Sequence, residues 1–247
     1  MPLDNSLEIA VFETLFLICL ILASGAMLRL RVNWAWLIPI PMLAFIAKLI
    51  LLEGSAGTFG DWIPGRYNWE GKLLTIILFL GVVAALFRNK LSFVGLTWNQ
   101  EGPFKNIALC LALFCVASWG AASVFQFPGV RSAPLSDVLY QFTMPTLEEE
   151  LWYRGILLAM LFKGFDQARE KGAPVLTTVL AVLVSSLSFW GAHAIGTDDN
   201  WGVLFDVSGH LTVAAFGVIW AVIRVGTGSL LFPMLLHTWT NTAGYFL

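Results

Sequence analysis

The sequence predicts an all-α fold, a polytopic membrane helical bundle of about eight transmembrane helices. Three observations predict it. Hydrophobic residues make up 58% of the 247-residue chain and charged residues 12%, roughly half the charge of an ordinary soluble domain. Mean hydropathy is +0.78. The apolar residues also fall into eight runs, most near the ~20 residues that cross a hydrocarbon core. With 14 basic against 16 acidic residues and a net charge of −2, the chain lacks the polar surface of a soluble enzyme. It also lacks the polarity of a disordered chain and the basic field of a nucleic-acid binder, so no nucleic-acid partner is expected. The expected surroundings are a lipid bilayer.

The first run, residues 7–28, has Asp4 and Glu8 at its start where a cleavable leader would carry Lys or Arg. It reads as a retained helix. The others are residues 34–52, 73–87, 107–125, 138–162, 175–194, 210–225 and 230–247. The third and seventh are short, so they tilt less or begin in a neighbouring loop. The connectors look like connectors: residues 54–71 are rich in Gly and Trp, 89–105 are polar with Gly102-Pro103, and 163–174 are charged. No soluble insert, low-complexity tract or internal repeat interrupts them. Cys19, Cys110 and Cys115 all lie inside apolar runs. Cys110 and Cys115, five apart on one helix, face different ways and read as small packing residues.

Lys and Arg in short loops set orientation. With the N-terminus outside, the cytoplasmic loops hold nine: Arg29, Arg31, Arg88, Lys90, Lys105, Lys163, Arg169, Lys171 and Arg224. The outer loops hold three, Arg66, Lys72 and Arg131, and the sixth loop carries Asp198, Asp199 and Asp206 with no basic residue. Nine against three places both termini outside.

Ionisable groups inside a span are costly and mark functional sites by default. Glu8, Glu13 and Lys48 lie toward span ends and read as interfacial. The rest concentrate in three spans. The fifth carries Glu148-Glu149-Glu150-Leu151-Trp152-Tyr153-Arg154-Gly155, the sixth ends Phe189-Trp190-Gly191-Ala192-His193, and the eighth contains His237-Thr238-Trp239-Thr240-Asn241.

Glu150 and Arg154, four apart with the acid first, meet on one helix face as an ion pair. Glu149 points about 100° further round and has no partner on its own helix, which suits a general base. His237 and Asn241 are also four apart, so two donors project together, as an oxyanion requires. Span six reaches His193 near its outer end and span five enters from outside, so the groups converge in the outer half of the bilayer. Three other readings stay open: a polar network that fastens the bundle, a Zn²⁺ site of two His and a Glu without the HExxH spacing, and a serine nucleophile among Ser185, Ser186, Ser188 and Ser229. Hydroxyls of that kind are common packing residues in membrane helices. His210, at the outer start of span seven, reads as an interface residue.

Glu149-Glu150-x-x-x-Arg154, Phe189-x-x-x-His193 and His237-x-x-x-Asn241 resemble the three signature motifs of the CPBP family. These are the CAAX proteases and bacteriocin-processing enzymes, also called the Abi family of glutamic intramembrane proteases. The segment from Phe216-Gly217 through Gly226-Thr227-Gly228-Ser229 to Pro233 is similar to the family's glycine-containing connector. The resemblance covers residues 145–241. It departs in the third glutamate, Glu148, in Tyr153 where Phe is frequent, and in Pro145, one residue further than expected from Arg154.

The resemblance implies a metal-independent peptidase with no cofactor. Glu149 and His193 would hold and activate a water, His237 and Asn241 would stabilise the oxyanion, and Glu150 and Arg154 would support them. Residues 131–247 would then form the catalytic core and residues 1–130 an accessory set of spans. A non-catalytic bacteriocin-immunity protein on the same fold and a proton-coupled transporter are the rival functions. A transporter usually repeats its polar groups in both halves, and here they lie in one. An outward-facing site favours a prokaryotic plasma-membrane enzyme that cuts a membrane-anchored or exported substrate near its anchor, as in sortase-like processing of a C-terminal sorting signal. A cytoplasmic CAAX-type prenyl-protein endopeptidase is the alternative. Oligomeric state is not legible.

Overall fold

A computed structural model describes residues 6–29, 31–60, 62–63, 67–126, 134–198 and 201–246. The charges Asp4, Arg66, Arg131 and Asp199, the terminal Leu247 and the expected boundary between residues 130 and 131 lie outside the described residues.

Hydrocarbon offers the backbone no hydrogen-bond partner, so each crossing segment must satisfy its own amides, and the apolar runs are helical. Helix α1 spans Ser6–Met27, α2 Trp34–Leu37 and α3 Pro39–Ser55. Asn33 caps α2 by accepting from the Ala35 amide, and Pro39 starts α3, so the two helices form one apolar span of 22 residues. Helix α4 covers Trp69–Leu86, a 3₁₀ turn Leu91–Val94, and α5 Lys105–Gln126. Helix α6, Leu135–Glu150, runs on through a π-helical turn, Leu151–Leu157, into α7, Leu158–Gly164. Then come α8 (Asp166–Glu170), α9 (Pro174–Ala194), strands β1 (Ile195–Thr197) and β2 (Val203–Phe205), α10 (Leu211–Thr227) and α11 (Leu231–Phe246).

All eight expected runs are helical, and the protein is a multi-pass membrane bundle. Five helical segments are long and apolar enough to cross a membrane on those grounds alone. The remaining three, α6 with its continuation, α10 and α11, are shorter or carry the polar motifs. The fifth run begins three residues earlier than expected and ends two later, with Pro145 inside α6. A π turn directly after the glutamates was not foreseeable, because the extra backbone residue leaves no side-chain pattern of its own; such turns concentrate at functional sites. Unforeseen too was the antiparallel hairpin pairing Ile195 with Phe205 and Thr197 with Val203. Its turn is closed by Asp198, whose carboxylate accepts from the Gly202 amide at 2.8 Å, an Asx-type closure.

The α6–π–α7 rod is the axis of the bundle. Leu151, Trp152, Arg154 and Ile156 through Leu161 are all buried along it, while α4, α9, α10 and α11 pack round it. Helix α1 lies against α3 and α9, and α5 against α10 and α11. Apolar side chains on outer faces, such as Ile107, Leu113 and Phe114 on α5, are exposed and face lipid.

Arg224 is not the loop residue that the charge count assumed. It is buried in α10 and donates to the Phe93 carbonyl at 2.9 Å. Lys72, too, turns inward from α4, with a side chain only 13% exposed; without these two inward-facing residues, eight basic residues stand against two, the same sign of asymmetry. Gly95 has φ +81°, and a Cβ there would collide with Arg224 Nε. Gly95→Ala is therefore expected to lower thermal stability in detergent, with about 1–2 kcal/mol from backbone strain alone. An unchanged melting temperature would show that this contact relaxes freely.

Candidate active site

The polar side chains meet at one end of the bundle. A cavity of about 300 Å³ opens between the ends of α3, α6 and α9, the π turn, the start of α4 and the middle of α1. Among its lining residues are Glu13, Lys48, Lys72, Glu148, Glu149 and His193.

The expected Glu150–Arg154 pair forms, with Nη1 to Oε1 at 3.0 Å and both side chains fully buried. A second Arg154 nitrogen donates to the Gly217 carbonyl at 3.3 Å. The guanidinium lies 4.2 Å from the centre of the Phe189 ring and 5.2 Å from that of Trp220, so aromatic faces take over part of the work of solvent.

The same Glu150 Oε1 lies 2.9 Å from His237 Nδ1. A carboxylate only accepts, so Nδ1 carries the proton and Nε2 is the nitrogen left for chemistry. Nε2 stands 3.7 Å from Glu149 Oε2. Trp220 stacks on the imidazole at 4.4 Å and holds its plane. Arg154, Glu150, His237 and Glu149 thus form one chain of contacts, in which the buried ion pair orients a histidine, and the histidine faces the one glutamate of the three that touches both it and the cavity.

His193 lies on the cavity wall with Glu149. Its Nδ1 is 2.9 Å from the Phe189 carbonyl oxygen, so the proton again sits on Nδ1 and Nε2 is the accepting nitrogen. His237 and Asn241 are not among the lining residues. Asn241, one turn beyond His237 on α11, is partly buried and makes no side-chain hydrogen bond within the described residues. Ser185, Ser186, Ser188 and Ser229 donate to the carbonyls of Tyr153, Val182, Val184 and Thr97, as packing hydroxyls do. His210 bonds to Asp206, four residues before it.

Glu149 is not left alone. Lys72, from the first turn of α4, reaches Glu149 Oε1 at 2.8 Å and Glu148 Oε2 at 2.5 Å. The physical reason is non-local: α4 packs against α6, and no spacing within one helix reveals a partner 77 residues away. Glu13 and Lys48 are corrected in the same way. They form a 2.6 Å ion pair, and both line the cavity; Glu8 is buried as well. Intramembrane charges on separate spans are expected to find one another, and that expectation is the only sequence signal that would have paired them.

Among the described residues, no group of three or more His, Cys, Asp or Glu side chains is placed to hold a metal. Residues 131–243 match the family described as type II CAAX prenyl endopeptidase Rce1-like, and over that segment the CPBP resemblance carried by the three motifs is borne out. No curated protein and no solved structure matches the chain. The family match on a multi-pass helical bundle indicates a membrane peptidase that acts on protein substrates within the bilayer.

Proposed function

We propose that the protein is a metal-independent, glutamic-type intramembrane endopeptidase. The observation that carries the reading is the contact chain Arg154–Glu150–His237–Glu149, ending at a cavity that His193 also lines. Glu149 is the general base. With His193 it holds a water and takes its proton as the oxygen attacks the scissile carbonyl. His237 Nε2 and the Asn241 carboxamide stabilise the tetrahedral oxyanion. Glu150 and Arg154 fix the tautomer and angle of His237. A scaffold or immunity protein has no use for a histidine oriented by a buried ion pair toward a cavity-lining carboxylate.

The test is purification in detergent and incubation with a library of transmembrane peptides. His193→Ala and His237→Ala are each expected to lose about 10²-fold or more in cleavage while folding normally. Cleavage at the intact rate by either would remove that histidine from the mechanism. Incubation with a zinc chelator is expected to leave the rate unchanged. Loss of activity that Zn²⁺ restores would move the chemistry to a metal.

On this reading the cavity opens at the outer face of a prokaryotic plasma membrane with both termini outside, an orientation that the asymmetry of basic loop residues supports. The substrate is then a membrane-anchored or exported protein cut near its anchor, a sortase-like task. The family match favours the second reading, a cytoplasmic CAAX-type endopeptidase, and topology separates the two. Leu204, in β2, is exposed. Leu204→Cys in a background lacking Cys19, Cys110 and Cys115 is expected to react with an impermeant thiol reagent on whole cells. Protection in intact cells with labelling after lysis would reverse the orientation and leave the CAAX-type reading in place.

A further inference from the structure

We infer, resting on the peptidase reading above, that Lys72 is a positioning residue of the active site. It offsets the charge of Glu148 and aims the Glu149 carboxylate at His237. The residue lies outside the family-matched segment, among the spans expected to be accessory.

The Glu149 carboxylate has two oxygens and two neighbours. Oε1 accepts from Lys72 at 2.8 Å, and Oε2 faces His237 Nε2 at 3.7 Å. The bond to Lys72 is the shorter by far, so it sets the rotation of the carboxylate and thereby what Oε2 faces. Lys72 also meets Glu148 at 2.5 Å. Glu148 and Glu149 are sequence neighbours, and two like charges so close in a low-dielectric setting repel strongly. One ammonium bridging both removes most of that repulsion and keeps them apart.

Lys72 is not an interfacial lysine that happens to reach inward. Its helix start is built to hold it. Asn68 caps α4, accepting from the Gly71 amide at 2.8 Å, and its side-chain nitrogen donates back to the Leu51 carbonyl of α3 at 2.7 Å. Gly54 and Gly71 let α3 and α4 touch there, since a Cβ on Gly54 would lie 2.5 Å from the Gly71 Cα. Tyr140 of α6 stacks on Tyr67 at 4.4 Å and reaches the Asn68 carbonyl. The first turn of α4 is thus fastened to both α3 and α6, and the Lys72 side chain is 13% exposed, inside the cavity rather than in the interface.

Four variants test this on a transmembrane peptide that the intact protein cleaves. Lys72→Met is expected to lose about 10²-fold in kcat, the scale of a misplaced general base, with KM changed no more than about threefold. Lys72→Arg, which keeps a charge that can bridge two carboxylates, is expected to retain at least about a tenth of kcat. Lys72→Met/Glu148→Gln removes the repelling charge together with the cation, and is expected to recover about tenfold over Lys72→Met. That recovery is not the behaviour of a structural staple, and it keeps the test decisive even if Lys72→Met alone folds poorly. Glu149→Gln is the reference. If it still cleaves, the reading of Glu149 as the general base has itself failed. If it is inactive while Lys72→Met matches the intact protein, or if the double variant is no better than Lys72→Met, the role of Lys72 is overturned and the reading stands.

Discussion

Glu149→Gln is expected to reduce cleavage by about 10²–10⁴-fold, the range that a positioned general base contributes, without impairing insertion or folding. The substitution is nearly isosteric, and the amide oxygen still accepts from Lys72. It cannot take a proton from water. Of the three adjacent glutamates, Glu150 is fully buried and committed to Arg154 and His237, and Glu148 bonds to Lys72 with no contact to His237. Only Glu149 lines the cavity while facing a histidine nitrogen. Glu148→Gln is therefore expected to keep activity within about tenfold of the intact protein, a range too small for loss of the base. Kinetics on the purified variants decide the matter: more than a few per cent of activity in Glu149→Gln, or a larger loss in Glu148→Gln, would transfer the role to the neighbouring residue.

What could be read in the sequence was whatever repeats at helical spacing or stands out against apolar surroundings. Eight runs of the right length gave eight helical segments. The i,i+4 spacing of Glu150 and Arg154 gave a pair that forms as expected, and the isolated polarity of His193 and His237 marked side chains that gather round Glu149. The hidden part depends on contacts between helices distant in sequence. Lys72 sits at the edge of its span and was counted as a loop charge, because nothing in residues 69–86 says that Asn68 and the Gly54–Gly71 contact will hold this turn against α3. Glu13 and Lys48 each lie where a side chain could snorkel to water, yet α1 packs against α3 and they pair with one another inside the cavity. The pairing also changes the balance between the two halves of the chain: α1, α3 and α4 supply one wall and three of the cavity's charges, so the cavity is shared between the family-matched segment and the spans before it. The π turn and the hairpin depend on backbone hydrogen bonding that side-chain periodicity does not report.

Arg154→Ala is expected to damage folding and activity together. A solvent-exposed i,i+4 pair contributes about 0.3–0.5 kcal/mol, but this one has no exposed atom on either side chain. Removing one partner leaves Glu150 as an uncompensated buried carboxylate, at a cost of about 3–5 kcal/mol. The Gly217 carbonyl loses a donor, and Phe189 and Trp220 lose the cation between them. Low yield and a clear fall in melting temperature in detergent follow. The double variant Arg154→Met/Glu150→Gln removes both charges and keeps comparable volume, which for buried pairs is often neutral in stability. It should therefore recover most of the melting temperature. Activity should not recover with it, because His237 Nδ1 then donates to a neutral amide in place of a carboxylate, and charge-assisted hydrogen bonds are roughly twice as strong. A melting temperature for Arg154→Ala equal to that of the intact protein would show that the ion pair does not hold the fold, and full activity in the double variant would show that it does not serve the histidine.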